Sequence, residues 1–394
     1  MLGLPISIQR CLVLLVLFFI ALAMFSAPLG AADKPDKLWV FVGTYTGKNS
    51  KGIYRMELDL ASGKLSAAQL AGEAASPSFI AIAPSQRFLY AVGEVDKFGG
   101  KNSGAVSAFS IDAKTGNLTL LNQKQSGGAG PCHIVVDKEG KNALVANYGG
   151  GSCCVVPIGA DGKLAEPSSV IQHKGTSVDK KRQNEPHAHS INLDAANKFA
   201  FVADLGLDKV MIYRFDPAKG TITANDPPSV SVTPGAGPRH FAFHPDGKHA
   251  YVINEMASTV TVLDYAAERG VLKAGQSITT LPKDFKGNTS TAEVVVHPSG
   301  KFLYGSNRGH DSIAVFTIDA RTGELTAVGH QGAGIKTPRN FAIDPTGTYL
   351  LVGNQGSGSI AVFKIDLKTA ELAPVDTPVG VPSPVCLRFM PAGK

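Results

Sequence analysis

The sequence predicts an all-β protein, a seven-bladed β-propeller, on the basis of two recurring motifs and of how the chain begins and ends. The first motif is an apolar strand, a turn of the Pro-x-Gly-Lys type and a second apolar strand. Its complete copies begin at Pro77, Pro131, Ala188, Pro238, Thr291 and Pro338. Their starts are separated by about 47 to 57 residues, a period typical of propeller blades.

A second motif gives an independent count of the blades. It is a strand followed by a small residue, Gly, any residue and Leu, as expected for a hairpin turn between two strands. It occurs at residues 62–65, 115–118, 161–164, 219–222, 268–272, 322–325 and 369–372. Seven hairpins against six complete copies of the first motif indicate that one repeat is divided.

The two ends of the chain supply the divided repeat. Residues 384–394 read as the first half of a repeat, and residues 38–44 read as the second half. We therefore expect the last blade to take its inner strand from the C-terminus and its other strands from the N-terminus. This closure removes the free sheet edges of an open ring, and neither a β-sandwich nor a β-helix predicts such a split repeat.

The N-terminal residues resemble a secretory leader and not part of the fold. Arg10 precedes an apolar run over residues 11–25, and small residues follow up to Ala32. This order is typical of a signal peptide, and the run is shorter than the roughly 20 apolar residues of a membrane span. We predict a signal peptide over 1–32, a propeller domain over 33–394, and an exported protein, periplasmic or secreted, with no membrane association after cleavage.

Charge and cysteine content narrow the function classes. The net charge is +6, or +5 once Arg10 is removed with the leader. There is no basic run or aromatic platform of the kind that binds nucleic acid. The mild surplus of positive charge instead favours a local cluster of arginines around an anionic small molecule as partner. No cysteine spacing resembles a zinc site, and the four cysteines after the leader are expected to be buried thiols.

Propeller geometry selects the candidate site. Paired strands run antiparallel, so the residues that begin the first strand and follow the second lie at the same end of a blade. At the first position stand Ser78, Cys132, His189, Arg239, Ala292, Arg339 and Val385. One residue further come Phe79, His133, Ser190, His240, Glu293, Asn340 and Cys386. After the second strand stand Thr44, Glu94, Tyr148, Leu205, Glu255, Arg308 and Gln355. Ionisable groups should therefore crowd one mouth of the central channel.

Several short segments resemble a known family, the lactonase-type seven-bladed propellers. This family includes the bacterial propeller-type 6-phosphogluconolactonases and the fungal carboxy-muconate cyclase. The segments are residues 41–46, Asn-Glu-Pro-His-Ala-His at 184–189, Gly-Pro-Arg-His at 237–240, Asn-Glu at 254–255 and Ser-Asn-Arg at 306–308. The resemblance implies a metal-independent, cofactor-free catalytic site formed by His189, Arg239, Glu255 and Arg308.

Neighbouring positions are candidates for substrate binding. They are His187, His133, His240, Tyr148, Asn254, Asn307 and Arg339. Whether His187 or His189 faces the site is open at this stage, because the two alternate along one segment. The polar insertion at 173–184 either lies over the channel mouth as a lid or is a mobile loop.

The working hypothesis is hydrolysis of a sugar lactone. Arg239 and Arg308 would hold the substrate and stabilise the oxyanion, while Glu255 or His189 would take a proton from water. One alternative is a cycloisomerase or lyase acting on an unsaturated dicarboxylate. A second is a divalent metal site at His133, His189, His240 and Glu293, and a third is a non-catalytic, exported binding propeller.

Overall fold

Seven small antiparallel β-sheets make up the part of the chain that the structure describes. In this computed structural model that part is residues 35–393, so the predicted signal peptide lies outside the described residues. The only helical element among residues 35–393 is a 3₁₀ turn at Leu205–Leu207. Within the same residues, no helix has the length and apolarity needed to cross a membrane.

The strands follow one another blade by blade along the chain. The N-terminal strands are β1 (Lys37–Thr44), β2 (Gly52–Asp59) and β3 (Gln69–Glu73). Blade 1 contains β4 (Ile80–Ile82), β5 (Phe88–Gly93), β6 (Ala105–Ile111) and β7 (Leu118–Gln125). Blade 2 contains β8 (Pro131–Val136), β9 (Asn142–Asn147), β10 (Ser152–Pro157) and β11 (Ser169–Gln172). Blade 3 contains β12 (Ala188–Leu193), β13 (Phe199–Asp204), β14 (Lys209–Asp216) and β15 (Thr221–Ser231).

The remaining blades repeat this order. Blade 4 contains β16 (Pro238–Phe243), β17 (His249–Asn254), β18 (Thr259–Ala266) and β19 (Val271–Thr279). Blade 5 contains β20 (Ser290–Val296), β21 (Phe302–Arg308), β22 (Ser312–Ile318) and β23 (Leu325–Gln331). Blade 6 contains β24 (Pro338–Ile343), β25 (Tyr349–Asn354), β26 (Ser359–Ile365), β27 (Leu372–Pro374) and β28 (Val379–Gly380). The last strand of the chain is β29 (Pro384–Pro391).

The ring closes as predicted, with a blade built from both ends of the chain. Strand β29 pairs antiparallel with β1, placing Phe389 opposite Val40 and Leu387 opposite Val42. The sheet order β29-β1-β2-β3 defines blade 7. The first strands of successive blades contact one another all around the ring, and β29 contacts both β24 and β4. These seven first strands therefore line the central channel.

Neighbouring blades are joined by a hydrogen bond that recurs with the repeat. Fully buried tyrosines on the second strands donate to a carbonyl in the hairpin turn of the next blade: Tyr90 to Gly162 at 3.0 Å and Tyr251 to Gly323 at 2.9 Å. Gly162 and Gly323 have φ values of 81° and 69°, a conformation that favours glycine. The Gly of the second sequence motif thus shapes the turn whose carbonyl accepts the hydrogen bond from the neighbouring blade.

The predicted buried thiols are also present. Cys132, Cys153, Cys154 and Cys386 are all free and buried. Burial raises the pKa of the Cys154 thiol to about 12, so it stays protonated and behaves as a small apolar side chain.

We expect the closing blade to be sensitive to loss of core volume. Leu387 is fully buried and packs in one cluster with Val40, Val42 and Leu351, so Leu387→Ala should lower the free energy of unfolding by about 2–5 kcal/mol. Chemical denaturation would measure the effect. The matched control is Leu367→Ala, because Leu367 is 58% exposed and should change stability by less than about 0.5 kcal/mol. Equal denaturation midpoints for the two variants would contradict the expectation that the packing of Leu387 in the closing blade stabilises the fold.

Candidate active site at the channel mouth

The predicted rim residues come together at one end of the channel. A small cavity there is lined by six of the seven first-position residues: Ser78, Cys132, His189, Arg239, Arg339 and Val385. The seventh, Ala292, contributes its carbonyl oxygen, which accepts a 2.6 Å hydrogen bond from Nη1 of Arg239. Side chains from blades far apart in sequence therefore share one polar basin.

A β-bulge in the inner strand places several of these side chains. The pairing register shifts between Pro238 and His240, between Ala188 and Ser190, and between Pro338 and Asn340. The residues inside these shifts are Arg239, His189 and Arg339. A regular strand turns consecutive side chains to opposite faces, whereas a bulge re-aims one of them. The bulges explain why adjacent residues such as Arg239 and His240 both line the cavity.

Glu255 is the centre of the charged cluster. Its Oε2 accepts from Nε of Arg239 at 3.0 Å and lies 3.2 Å from Nη2 of Arg308. Its Oε1 accepts from Nη2 of Arg182 at 2.9 Å. The fourth neighbour is His189, whose Nε2 lies 3.9 Å from Oε2. One carboxylate thus holds three guanidinium groups.

The strand geometry accounts for the pairing of Arg239 and Glu255. Pro238 on β16 is directly opposite Asn254 on β17. Arg239, at the start of β16, and Glu255, just after β17, therefore lie at the same end of the blade. Arg308 ends β21 in the next blade, and its Nη2 donates to the Thr291 carbonyl at 2.7 Å. Arg239 and Arg308 are therefore both anchored by backbone carbonyls of β20, and Glu255 is held by these two side chains.

Burial and charge set the protonation of the cluster. Burial opposes ionisation of Glu255, but Arg239 and Arg308 prevail and lower the pKa of its carboxyl to about 2. Burial lowers the pKa of His189 well below its usual value, and Arg239 and His240 lower it further. Burial and Arg239 also lower the pKa of Arg308, to about 10. At neutral pH the cluster thus contains a carboxylate, charged arginines and a neutral imidazole.

A second group of charged side chains, linked through a tyrosine hydroxyl, lies across the cavity. Nη2 of Arg339 donates to the Tyr45 hydroxyl at 2.9 Å, and that hydroxyl donates to the Glu94 carboxylate at 3.0 Å. Glu94 also accepts from the hydroxyl of Ser78. Blades 1, 6 and 7 therefore build this side of the mouth, opposite the Glu255 cluster.

Comparison with known proteins gives the family. A family model described as "Lactonase, 7-bladed beta-propeller" matches residues 39–389. This chain belongs to the seven-bladed β-propeller lactonase family. The 6-phosphogluconolactonase of Bacillus subtilis (strain 168) is 37% identical over 350 residues, which cover 89% of this chain and 97% of that relative. The 6-phosphogluconolactonase of Formosa agariphila is 35% identical over 311 residues, 77% of this chain and 86% of its own length.

A solved structure extends the comparison to three dimensions. The periplasmic gluconolactonase of Pseudomonas aeruginosa superposes with a TM-score of 0.85 at 33% sequence identity, over 90% of this chain and 99% of its own. The resemblance that the sequence motifs indicated is thereby confirmed for family and fold.

Below the mouth of this lactonase, a layer of side chains lies between two cavities of the channel. Nδ1 of His240 is 2.8 Å from Oε1 of Glu293, and the amide of Asn340 donates to the same carboxylate. His133 packs on Phe79 with ring centroids 4.2 Å apart. His240 lines the mouth cavity, whereas His133 lines a cavity on the other side of the layer. Of these two predicted substrate-binding residues, the structure brings only His240 to the mouth.

The structure also separates His187 from His189. His189 lines the cavity, while His187 stacks on Tyr148 at 4.6 Å, and its Nδ1 is 3.1 Å from the Tyr148 carbonyl. Tyr148 in turn lies edge-on to His189, with centroids 5.2 Å apart. His189 is thus the histidine of the site, and Tyr148 and His187 form the wall beside it.

Asn254 and Asn307 are engaged elsewhere. The Asn254 amide donates to the hydroxyls of Thr259 and Thr261, both at 2.9 Å. The Asn307 amide donates to the Thr280 carbonyl at 2.8 Å. The Asn254 side chain therefore braces its own blade, and that of Asn307 ties blade 5 to the segment after β19. A role in substrate binding stays a prediction for these two residues. Their place next to Glu255 and Arg308 in the sequence reflects the repeat.

Arg182 and Tyr45 join the mouth although neither was among the rim positions, and Glu94 joins it as a rim position that was not among the candidate site residues. Arg182 belongs to the insertion between blades 2 and 3, which we call the strap (residues 173–187). The strap is tied to blade 3 by Ser177 Oγ donating to Asp208 at 2.6 Å and by Gln183 Nε2 donating to the Leu205 carbonyl at 2.9 Å. Its Arg182 reaches Glu255 at the channel mouth, and a role of the strap as a lid stays a prediction. The one feature of the sequence that could have pointed to Arg182 is the position of the strap directly before the histidine motif.

The depressed pKa of Glu255 predicts a pH-dependent stability. Because its folded pKa of about 2 lies below the ordinary value of 4.5, its ionisation stabilises the fold above about pH 4.5, by roughly 3 kcal/mol. That contribution is lost as the pH falls toward 2. We expect Glu255→Gln to be less stable than the parent at neutral pH, with a difference that shrinks on acidification.

Chemical denaturation between about pH 7 and about pH 3 would measure this difference. Glu324→Gln is the control, since Glu324 is exposed in a hairpin turn and its loss should give no such trend. A stability difference that stays constant with pH for Glu255→Gln would contradict the prediction.

Proposed function

We propose that this lactonase hydrolyses a sugar lactone at the channel mouth, with His189, Arg239, Glu255 and Arg308 as its catalytic set. The observation that carries the proposal is a pair of guanidinium groups, Arg239 and Arg308, fixed by one carboxylate beside a neutral imidazole. Ester hydrolysis needs these two functions, a cationic site for the developing oxyanion and a base for the attacking water.

Arg308 supports the oxyanion role most directly. Its Nε is buried and has no hydrogen-bond partner among residues 35–393. Buried donors are nearly always paired, so this nitrogen is suited to a ligand oxygen. The lactone carbonyl oxygen would accept from it and gain negative charge in the transition state, where a preorganised guanidinium stabilises it most.

His189 is better placed than Glu255 to act as the base, because its Nε2 is free of hydrogen bonds among the described residues, whereas both oxygens of Glu255 face guanidinium groups. A carboxylate with a pKa of about 2 also has little affinity for a proton. At neutral pH the His189 imidazole is neutral. Glu255 would then serve by fixing the arginines and by stabilising the imidazolium once it forms.

The reaction follows from these roles. His189 takes a proton from water as the water oxygen attacks the lactone carbonyl carbon. The tetrahedral oxyanion is held by Arg308 and Arg239. The bond from that carbon to the ring oxygen then breaks, and the leaving alkoxide receives the proton from His189. The product is the open-chain hydroxy acid, and no oxidant, metal or cofactor is required for the balance.

The substrate class rests on the named relatives. The Bacillus and Formosa proteins are 6-phosphogluconolactonases and the Pseudomonas protein is a periplasmic gluconolactonase. We propose a lactone of a sugar acid for this chain on that basis. Arg339, Tyr148 and His240 around the cavity would contact the remainder of the sugar.

The two histidines of one motif provide a matched test. His189→Gln removes the proposed base and should lower kcat for glucono- and 6-phosphogluconolactone by about 10²–10⁴. His187→Gln removes an equal ring outside the cavity and should lower kcat by less than about tenfold. Proton release in a weakly buffered solution would measure the rates. Comparable losses for both variants would refute the assignment of the base.

We also propose that the protein is exported. The basic and apolar leader over residues 1–32 and the periplasmic place of the Pseudomonas relative support this. The full-length chain expressed in a Gram-negative host should be recovered from the periplasm with its N-terminus close to Asp33. Cell fractionation and N-terminal sequencing would measure the location and the first residue of the protein. Recovery from the cytoplasm of a chain that starts at Met1 would refute export.

A further inference from the structure

Arg182 differs from the other arginines around Glu255 in how it is held. Its side chain is 43% exposed, whereas that of Arg239 is 3% exposed and that of Arg308 is 14% exposed. Both of its side-chain hydrogen bonds use the same nitrogen, Nη2, which is 2.9 Å from Glu255 Oε1 and 3.2 Å from the Tyr148 hydroxyl. An ion pair open to water is weak compared with a buried one.

The backbone that carries Arg182 is fixed on both sides. At one end of the strap, His173 Nδ1 is 2.6 Å from Asp204, and at the other end the His187 amide donates to the same carboxylate at 2.8 Å. Next to Arg182, Gln183 is buried and bonds to the Leu205 carbonyl. The strap thus presents an exchangeable side chain from a defined position.

The charge balance at the mouth favours such an exchange. Four arginines (Arg182, Arg239, Arg308 and Arg339) face two carboxylates, Glu94 and Glu255. The cluster therefore has two positive charges more than negative ones. Arg182 has the contact with Glu255 that is least buried. An incoming anion can therefore replace Glu255 as the partner of Arg182 with the smallest loss of interaction free energy.

We propose that Arg182 is a specificity-determining residue that leaves Glu255 and binds an anionic substituent of the substrate. The proposal rests on the proposed function, since it assigns the strap to the same lactone site. A phosphate or carboxylate remote from the reacting ester would accept two hydrogen bonds from the guanidinium. Neutral sugar lactones would leave Arg182 on Glu255 and gain nothing from it.

Binding measurements on two sugar acids test this exchange. We expect Arg182→Ala to weaken binding of 6-phosphogluconate roughly tenfold or more and to leave binding of unphosphorylated gluconate nearly unchanged. The matched control is Lys181→Ala, which removes the same charge from the neighbouring strap position. Lys181 is exposed, and its loss should weaken binding of either acid by less than about twofold. Arg182→Lys should recover part of the affinity.

Titration calorimetry with the parent protein and these variants decides the proposal without any turnover. Equal weakening by Arg182→Ala and Lys181→Ala would show a general charge effect and overturn it. Equal weakening for both acids, or no weakening, would overturn it as well. If the parent opens neither lactone, the proposed function fails, but the binding comparison still decides the role of Arg182.

A pH profile gives a second readout that a merely structural role would not move. The charged and titratable groups facing Glu255 are Arg182, Arg239, Arg308 and His189, with Arg339 further away. The hydrogen bond from Arg182 helps to lower the pKa of Glu255. The acid limb of kcat/KM reports the proposed base His189, whose Nε2 is 3.9 Å from Glu255. Loss of the Arg182 charge beside this pair should raise the pKa of the imidazole and move the limb for gluconolactone to higher pH in Arg182→Ala, whereas in Lys181→Ala the limb should stay. An acid limb of kcat/KM at the same pH in Arg182→Ala and in the parent would contradict a contact between Arg182 and Glu255 in solution.

Discussion

The pairing of β29 with β1 is the constraint on which the rest of the molecule depends. It joins the two ends of the chain in one sheet and so turns a row of blades into a closed ring. Closure brings the first strands of all the blades around one channel and points their beginnings to the same mouth. Without it, Arg339 of blade 6 and Tyr45 of blade 7 would have no reason to meet, yet their side chains are 2.9 Å apart.

The electrostatics of the mouth follow from burial. Taking a carboxylate out of water is costly unless it is paired and hydrogen-bonded, and Glu255 meets this condition with guanidinium groups from three separate stretches of chain. In the proposed mechanism, the same pairing leaves the base role to His189 and orients the arginines for a ligand. A strong ion cluster and a neutral histidine are thus two outcomes of one buried, positively charged environment.

Much of this could be predicted from the sequence, because blades are local units. Each hairpin is formed by residues close together in the chain, and its turn chemistry is visible as Gly or Pro at fixed positions. The division of one repeat between the termini predicts the closure. The list of rim positions then follows from the alternation of strand direction, and six of those seven positions line the cavity.

The remaining features depend on contacts that no repeat encodes. Arg182 lies in an insertion present in a single blade connection, so its contact with Glu255, 73 residues further on, has no periodic signal. Asn254 and Asn307 adjoin catalytic candidates in sequence, but a strand turns adjacent side chains apart. His133 and His240 occupy equivalent positions, and only packing in the channel layer places one above and one below it.

The sequence by itself therefore determined the blade count, the closure and the rim positions, since these depend on short-range strand and turn preferences repeated along the chain. The tertiary structure alone decided which rim groups touch, which histidine faces the cavity and that a strap arginine joins the cluster. The physical reason is that such contacts are set by bulges, side-chain direction and charge pairing between distant segments. Those interactions exist only once the ring has closed.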